Sequence, residues 1–357
     1  MQEVGRWMQK VKLETKHRMI KKLLFALLIL ISFHGFSQNI SLSKQAKVSI
    51  LTCGTGPESY AMYGHTGIRI QDVSQQIDVV YNYGAFDFDT PNFIGRFVKG
   101  DLQYFVTNGS YIDFYYNYQA ENREIIEQDL ALSLAQINQL FQQLNASVYS
   151  DDRFYTYKFI DRNCTTMVVD KINNTLGSEY IKSQNSNQSY REILYPYMSD
   201  FYMKLGIQLI FGAKVDEPAT RLFLPYEFKK AISNTKVNGT TIEQSNKTIL
   251  EERKTDIPFN WLNSIYSLIG ILFLLVILGK KWLKISYLIF AGLLGVFFSL
   301  VGLGSLHEEI LWNYNILLFN PLLLVFAWHY WKGNRVKIIL FGQICLGFLL
   351  AYFVYML

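Results

Sequence analysis

The chain has 357 residues, of which 50% are hydrophobic, 16% are aromatic and only 18% are charged, and its formal net charge is +5. The apolar residues crowd into roughly the first forty and the last hundred positions, which predicts membrane segments rather than one large soluble core. The polar middle of the chain has no basic stripe of the kind that binds nucleic acid, so we exclude a nucleic-acid partner.

The N-terminus predicts a signal peptide over residues 1–37, and Met19 is a possible true start. Two lysines precede an apolar run at residues 23–33, which is long enough for an export signal but short for a membrane-spanning helix. Small residues two positions apart follow this run, as signal peptidase requires, so cleavage is expected before Gln38. An uncleaved N-terminal anchor is the alternative.

An exported α+β domain is predicted over residues 38–233. Segments rich in Val, Ile, Tyr and Phe, with partial alternation of apolar and polar residues, are typical of β-strands. They lie at residues 47–53, 65–70, 77–83, 102–107 and 154–160. Capping residues and apolar patterns predict three helices in the same region. These helices begin after Ser133, after Asn163 and at Phe201, and they end near Asn145, Gly177 and Phe211.

Residues 234–256 are rich in Asn, Thr, Lys and Glu and predict a polar linker before a membrane region, residues 257–357. Four apolar runs in that region predict transmembrane helices. Their approximate bounds are 259–278, 285–304, 316–331 and 336–356. Basic residues separate the first two runs and the last two, and short basic loops stay in the cytoplasm. The domain and the loop 305–315 are therefore expected on the outer side of the bacterial inner membrane.

His65 and Cys164 are the candidate catalytic pair. His65 is the only histidine in the predicted domain, and it lies where a glycine-flanked turn becomes a strand. Cys164 follows the predicted cap Asn163 and so lies in the first turn of a helix, where unpaired N–H groups favour a thiolate. A cysteine activated beside an imidazole can carry out acyl transfer through a thioester. The alternative is that both are inert residues of the core.

Cys53 leaves three possibilities open. It ends the first predicted strand, before a turn whose N–H groups could bind an oxyanion. It could itself be the nucleophile, or it could form a disulfide with Cys164, which would abolish the thiol chemistry. Cys345 falls within a predicted membrane helix and is interpreted as a packing residue.

An ordered set of short motifs resembles the Lnb-type lipoprotein N-acyltransferases and their N-terminal periplasmic domain. In the domain these motifs are Leu51-Thr52-Cys53, Tyr63-Gly64-His65, Tyr81-Asn82-Tyr83-Gly84, Glu121-Asn122-Arg123, Asn163-Cys164-Thr165-Thr166 and Leu224-Pro225. In the membrane region they are His307-Glu308 and Trp312-Asn313-Tyr314-Asn315. The order of His and Asn-Cys is also similar to that of circularly permuted NlpC/papain-like thiol enzymes. The resemblance implies a permuted papain/NlpC-like fold for the domain.

The same resemblance implies roles for individual residues of the domain. Cys164 would be the nucleophile and His65 its general base. Asn82, on the strand after the histidine, is a candidate to orient the imidazole. Asn163 and the turn at Cys53 are candidates to bind substrate or an oxyanion.

The outer loop would line the opening of the site. Its candidate residues are His307, Asn313 and Asn315, which could contact lipid head groups or peptide. The alternative for the two asparagines is that they satisfy backbone groups at a helix end.

The resemblance implies ping-pong acyl transfer. No cofactor is expected, and nothing in the sequence demands a metal. Cys164 would take an acyl chain from a phospholipid or a diacylglyceryl ester and pass it to the N-terminal amine of a lipoprotein. One alternative is a cell-wall peptide amidase or endopeptidase that uses the same pair of residues. The other is a non-enzymatic envelope assembly protein with a Cys53–Cys164 disulfide.

Overall fold

The structure is a computed structural model that describes residues 18–22, 41–198, 200–253 and 258–357. Met1–Ser41 and Leu42–Leu357 form two separate units. In the first unit, residues 18–22 are helical. The rest of the predicted signal peptide, with the cleavage point before Gln38, lies outside the described residues. The second unit contains the α+β domain and the membrane helices.

Most strands of the second unit form one sheet. The strands are β1 Lys47–Cys53, β2 His65–Asp72, β3 Ile77–Ala85, β4 Gln103–Ser110, β5 Ile125–Leu130, β6 Phe154–Thr156, β7 Lys236–Val237, β8 Thr240–Thr241 and β9 Glu243–Leu250. Seven of them pair antiparallel in the order β6-β4-β3-β2-β1-β5-β9, whereas β7 and β8 form a hairpin of their own. Between the neighbouring strands β1 and β2, the last residue of β1, Cys53, lies opposite the first residue of β2, His65. This register brings the end of β1 and the start of β2 to one end of the sheet.

The helices divide between the domain and the membrane region. Those of the domain are α1 Phe93–Lys99, α2 Tyr111–Ala120, α3 Leu134–Tyr149, α4 Cys164–Leu176, α5 Tyr190–Leu194, α6 Phe201–Ile210 and α7 Pro225–Asn234. Those that follow are α8 Ile265–Leu278, α9 Lys281–Gly304, α10 Asn315–Leu318, α11 Leu322–Lys332 and α12 Arg335–Met356. The starts of α3 and α4 are fixed by capping boxes at Ser133 and Asn163, which satisfy N–H groups of the first turn.

The main core lies on one face of the sheet. There α3, α4 and α7 bury side chains such as Leu140, Ile172 and Phe228 against the strands. The opposite face carries α2, whose Phe114 packs with Val80 and neighbouring residues of β1 and β5. Because each fully buried aliphatic or aromatic side chain contributes about 1.5–3 kcal/mol, the two faces hold the sheet rigidly between helices.

The predicted α+β class is confirmed. The five predicted strands correspond to β1, β2, β3, β4 and β6, and the three predicted helices to α3, α4 and α6. The segment predicted as a strand over 154–160 is strand only as far as Thr156, after which the chain turns toward the cap of α4. The relation of the domain to papain-like enzymes stays a prediction.

The segment predicted as a polar linker, residues 234–256, differs most from expectation. It forms β7, β8 and β9, and β9 pairs with β5 as the last strand of the sheet. Thr248 lies opposite Ile126, and Lys247 lies opposite Glu127. An edge strand is held by backbone hydrogen bonds to one neighbouring strand, and its side chains can be mostly polar. Its amino-acid composition therefore resembles that of a polar linker.

Three helical segments among the described residues are long and apolar enough to cross a membrane, and they are Lys281–Gly304, Glu308–Lys332 and Arg335–Met356. Four spans were expected, and the first is the one that differs. Its helix, α8, has 14 residues. At 1.5 Å per residue it is about 21 Å long, against a hydrocarbon core of about 30 Å. The segment Glu308–Lys332, which corresponds to the third predicted span, is interrupted between α10 and α11, at Asn320 and Pro321.

The two ends of the membrane helices have different surroundings. At one end, Tyr202 of the domain is hydrogen-bonded to Ser267 of α8, with 2.6 Å between the hydroxyl oxygens. At the other end, Lys281 Nζ donates to the carbonyl of Trp331 at 2.9 Å, so the two basic loops lie together. Helix α8 therefore runs from the end of the membrane helices near the domain to the end with the basic loops, although it is shorter than the hydrocarbon core.

Candidate active site

The candidate site lies where β2 and α4 begin. His65 is the first residue of β2, and Cys164 is the first residue of α4. The turn before His65 requires Gly64, which has a φ of 81° and lies so close to β1 that a Cβ would be 2.5 Å from the Cys53 carbonyl oxygen. The imidazole and the thiol are half-buried, and each lies close enough to the other to shift its pKa.

Asn163 positions the cysteine by capping α4. Its Oδ1 accepts hydrogen bonds from the N–H groups of Thr165 and Thr166, both at 2.9 Å. Its Nδ2 donates to the carbonyls of Phe159 and Phe223. Because every donor and acceptor of this amide is used, Asn163 has none left for a substrate or an oxyanion, and its role is to fix the helix start.

Asn82 contacts the other side of the imidazole. Its Oδ1 is 3.1 Å from His65 Nε2. The amide oxygen can only accept, so Nε2 carries the proton of this bond and Nδ1 is the nitrogen left for Cys164. The structure thus brings Cys164, His65 and Asn82 together, with the imidazole between the thiol and the amide, which is the arrangement expected of a nucleophile, a base and an orienting group.

The electrostatics of the pair favour a thiolate and an imidazolium. Burial opposes ionisation of Cys164, but the charge and hydrogen bond of His65, together with the Thr66 N–H and the Thr165 hydroxyl, lower the pKa of its thiol. Burial likewise opposes a charge on His65, but Cys164 and Asn82 outweigh it and raise the pKa of the imidazole. Both shifts favour the thiolate–imidazolium form of the pair over the neutral form.

Two threonines of the site were not singled out from the sequence. Thr66 and Thr165 are buried, and their hydroxyl oxygens are 3.0 Å apart. Thr165 Oγ1 also lies 3.9 Å from the sulfur of Cys164. The hydrogen bond between the two threonines joins α4 to β2 and so holds the thiol beside the imidazole. Each threonine directly follows a catalytic candidate in the sequence, and this position could have indicated both of them.

Cys53 is not a second nucleophile. It is fully buried and, like Cys164 and Cys345, has a free thiol. Burial raises the pKa of the Cys53 thiol to about 12, although the Tyr118 hydroxyl and Arg123 act in the opposite direction. A thiol with that pKa is protonated at neutral pH and unreactive. Because Cys53 and Cys164 both have free thiols, the predicted Cys53–Cys164 disulfide alternative is wrong for this structure.

Arg123 braces the turn after Cys53. Its Nε donates to the carbonyl of Gly54 at 2.9 Å, and its guanidinium lies 4.6 Å from the centre of the Tyr118 ring. An ion pair with Glu121, at 2.7 Å, compensates this buried charge. The turn is thus held by side chains from the segment before β5.

An aromatic cleft opens from the pair of catalytic candidates. It has a volume of about 520 Å³, and His65 and Cys164 lie in its wall. Most of the other lining side chains are aromatic. Among them are Phe86, Phe88, Phe93, Tyr104, Tyr157 and Phe159. A cleft of this size and composition fits an apolar chain better than a polar peptide.

The outer loop docks onto the domain away from the thiol. The side-chain amides of Asn313 and Asn315 donate to the carbonyl of Leu209, at 2.8 and 3.0 Å, and Asn313 also donates to that of Ile210. These carbonyls end α6 and have no partner within it. Of the two roles considered for the asparagines, the structure shows the second, in which they satisfy backbone at a helix end.

His307 also holds the loop in place. Its Nε2 donates to the carbonyl of Phe97, the residue two positions before the end of α1, at 2.7 Å. Nearby, Glu309 is buried and accepts from the N–H of Ile160 at 3.0 Å. The loop is thus part of the domain surface, and His307 contacts neither member of the pair.

No cluster of three or more His, Cys, Asp or Glu side chains that could hold a metal ion occurs in the described part of the chain.

Comparison with known proteins gives one match. Residues 33–195 match the family model described as the Lnb N-terminal periplasmic domain. The match includes His65, Asn82 and Cys164 and ends before α6. Neither curated proteins nor solved structures gave a match. With the three membrane-capable helices, the match identifies a membrane protein with a periplasmic domain.

Proposed function

Residues 33–195 belong to the Lnb N-terminal periplasmic domain family, and from this premise we propose that the chain is a thiol-dependent lipoprotein N-acyltransferase of the inner membrane. The observation that carries the proposal is the placement of Cys164 and His65 together in the wall of an aromatic cleft, where each favours the charged form of the other. A thiolate supplies the nucleophile, and an apolar cleft beside it suits an acyl chain.

The first half of the reaction forms a thioester. The Cys164 sulfur attacks the carbonyl carbon of an acyl ester, and the negative charge moves to the carbonyl oxygen. The N–H of Cys164 is the candidate donor to that oxygen, because it is the first N–H of α4 and Asn163 occupies the next two. When the carbon–oxygen bond breaks, the imidazolium of His65 gives its proton to the departing alkoxide.

The second half transfers the chain to an amine. The α-amine of a lipoprotein attacks the thioester carbonyl, and neutral His65 removes a proton from the attacking nitrogen. The carbon–sulfur bond breaks, and the thiolate is restored beside the imidazolium. Asn82 keeps the imidazole oriented throughout, so we propose it as a positioning residue. The acyl donor in this scheme is a phospholipid or diacylglyceryl ester.

Replacement of Cys164 tests the proposal. In a strain that depends on this protein, Cys164→Ala should lower N-acylation of lipoproteins by about 10⁴-fold or more, since removal of a nucleophile has effects of that size. The measurement is mass spectrometry of lipoprotein N-termini. In wild-type protein, an acyl group that hydroxylamine releases should be found on Cys164.

Cys345→Ala is the matched control, because this thiol lies in α12 and its nearest polar contact is Asn320. It should leave N-acylation unchanged. Persistent N-acylation in the Cys164 variant would disprove the proposal. Cleavage of cell-wall peptides by the wild type, lost in the same variant, would instead support the amidase alternative, which no feature of the cleft favours.

A further inference from the structure

A continuous row of aromatic rings leads from the cleft to the outer end of the membrane helices. Phe86 lies two residues after Gly84, where a Cβ would touch Cys164. From Phe86 the ring centres are 4.9 Å from Phe88 and 5.9 Å from Phe93. Phe93 stacks on Phe97 at 6.4 Å, and Phe97 meets the ring of His307 at 6.0 Å. The row therefore connects the thiol with the outer loop.

Helix α1 at the end of this row presents apolar side chains to the outside. Ile94 is 76% exposed, Phe97 51% and Val98 44%. Arg96 and Lys99 are exposed on the same short helix. Contiguous exposed apolar side chains are rare on soluble surfaces, and their combination with basic residues is typical of helices in a membrane interface.

Hydrogen bonds to the residues that follow α9 fix the position of α1 relative to the membrane helices. The backbone N–H of Leu306 donates to the carbonyl of Lys99 at 2.6 Å, and the Ser305 hydroxyl donates to that of Val98 at 3.0 Å. The Nε2 of His307 donates to the carbonyl of Phe97. These residues directly follow the 24 residues of α9, whose length of about 36 Å crosses the hydrocarbon core. Helix α1 therefore lies at the outer boundary of the bilayer.

We propose that α1 inserts Ile94, Phe97 and Val98 into the outer boundary of the bilayer and that the aromatic row guides a lipid acyl chain from there to Cys164. The occupant is the acyl chain of a membrane lipid. The basic residues of α1 lie at the level of the lipid phosphates, while the rings offer the chain a continuous apolar path. The path to the thiol rests on the proposed function, whereas the insertion of α1 does not.

The test compares two thiol reagents on full-length protein in lipid vesicles, with modification of Cys164 followed by mass spectrometry. N-hexadecylmaleimide is confined to the bilayer, and iodoacetamide is water-soluble. Ile94→Asp should slow modification by the maleimide by about tenfold, because a charge replaces an apolar side chain in the interface. It should leave the rate with iodoacetamide unchanged.

Val73→Asp is the matched control. Val73 is 68% exposed and follows the end of β2 that is remote from His65. Neither reagent should be affected by this variant. Unchanged rates in Ile94→Asp, or equal slowing with both reagents, would overturn the proposal. Because the modification of Cys164 involves no acyl transfer, such a failure is distinct from a failure of the proposed activity.

A photoreactive benzoylphenylalanine gives a second readout that requires no reaction at Cys164. Placed at Ile94 in the Cys164→Ala background, it should form adducts with phospholipid on illumination. The same residue placed at Val73 should form none. Equal adduct yields at the two positions, or no adduct at Ile94, would show that α1 does not lie in the interface.

Discussion

Cys164 and His65 influence each other's ionisation, chiefly through the charge that each would carry. The pKa of the thiol is lowered and that of the imidazole is raised, although burial opposes both changes. The thiolate therefore persists as the pH falls below the ordinary pKa of a thiol, until it is protonated at the lowered value. The imidazolium persists as the pH rises above the ordinary pKa of histidine, until it loses its proton at the raised value. Both shifts thus widen the pH range over which the charged forms of the two groups are favoured.

The rate of alkylation of Cys164 by iodoacetamide should follow this titration. In wild-type protein we expect the rate to increase with pH through an inflection below about 8.5, the ordinary thiol pKa. In His65→Ala the inflection should move up, and the rate at pH 7 should fall by roughly tenfold or more as the thiolate fraction drops. The measurement is the modified fraction of Cys164 against time at each pH.

Asn82→Ala serves as a graded comparison for this experiment. Asn82 acts on the thiol only through His65, so its loss should shift the inflection in the same direction by a smaller amount. Cys53 should remain unmodified throughout, since it is fully buried. Identical curves for wild type and His65→Ala would contradict the ion pair.

The catalytic candidates could be predicted from the sequence because their signals are local. Asn163 before Cys164 is a helix cap, and Gly64 before His65 marks a turn. Asn82 required the further assumption that neighbouring strands pair. The aromatic cleft could not be predicted, because its rings come from distant segments, such as Phe86 and Phe159, that only the fold brings together.

Docking of the outer loop onto α6 depends on close backbone contact. The N–H of Gly212, two residues after α6, donates to the carbonyl of Glu309 at 2.8 Å. A Cβ on Gly212 would lie 1.7 Å from the carbonyl oxygen of Leu311. There is no room for a side chain at this position, so the domain and the loop fit together only around a glycine.

Gly212→Ala should therefore separate the loop from the domain. We expect a loss of about 1–3 kcal/mol, the usual cost of overpacking, seen as a lower unfolding temperature in detergent and faster proteolysis at residues 305–315. Gly206→Ala is the control within α6, because a Cβ there meets nothing within 4 Å. It should stabilise the helix by about 0.5–1 kcal/mol. Equal behaviour of the two variants would refute the docking.

The elements and contacts that could not be predicted from the sequence are those whose partners lie far away along the chain. β9 pairs with β5 across more than a hundred residues, and its polar side chains give no apolar face. Asn313 and Asn315 find their partners in the last carbonyls of α6, which no local pattern indicates. By contrast, β1 has the bounds predicted for it, because six of its seven residues are buried.

The orientation of the whole molecule follows from the positions of its basic loops. Lys281 and Trp331 meet at one end of the membrane helices, while the loop 305–315 meets the domain at the other. This arrangement agrees with basic loops in the cytoplasm and a domain outside.

Labelling with a membrane-impermeant maleimide in spheroplasts checks this orientation. In a Cys164→Ser background, Lys247→Cys on β9 should be labelled in intact spheroplasts. Lys280→Cys, at the start of α9, should be labelled only after lysis. Without an introduced cysteine no labelling is expected, because Cys53 and Cys345 are buried. Labelling of Lys280→Cys before lysis would contradict the orientation.

The position of β9 in the sheet constrains the order in which the protein is made. The strand beside β5 is the last part of the domain to be translocated, and α8 begins only 15 residues after Leu250, at Ile265. Closure of the sheet and insertion of the first membrane helix are thus consecutive steps of biosynthesis. Until Leu250 has crossed the membrane, β5 presents an unpaired edge, and such edges associate with other chains. Pairing of β9 with β5 therefore covers this edge just before the first membrane helix is made.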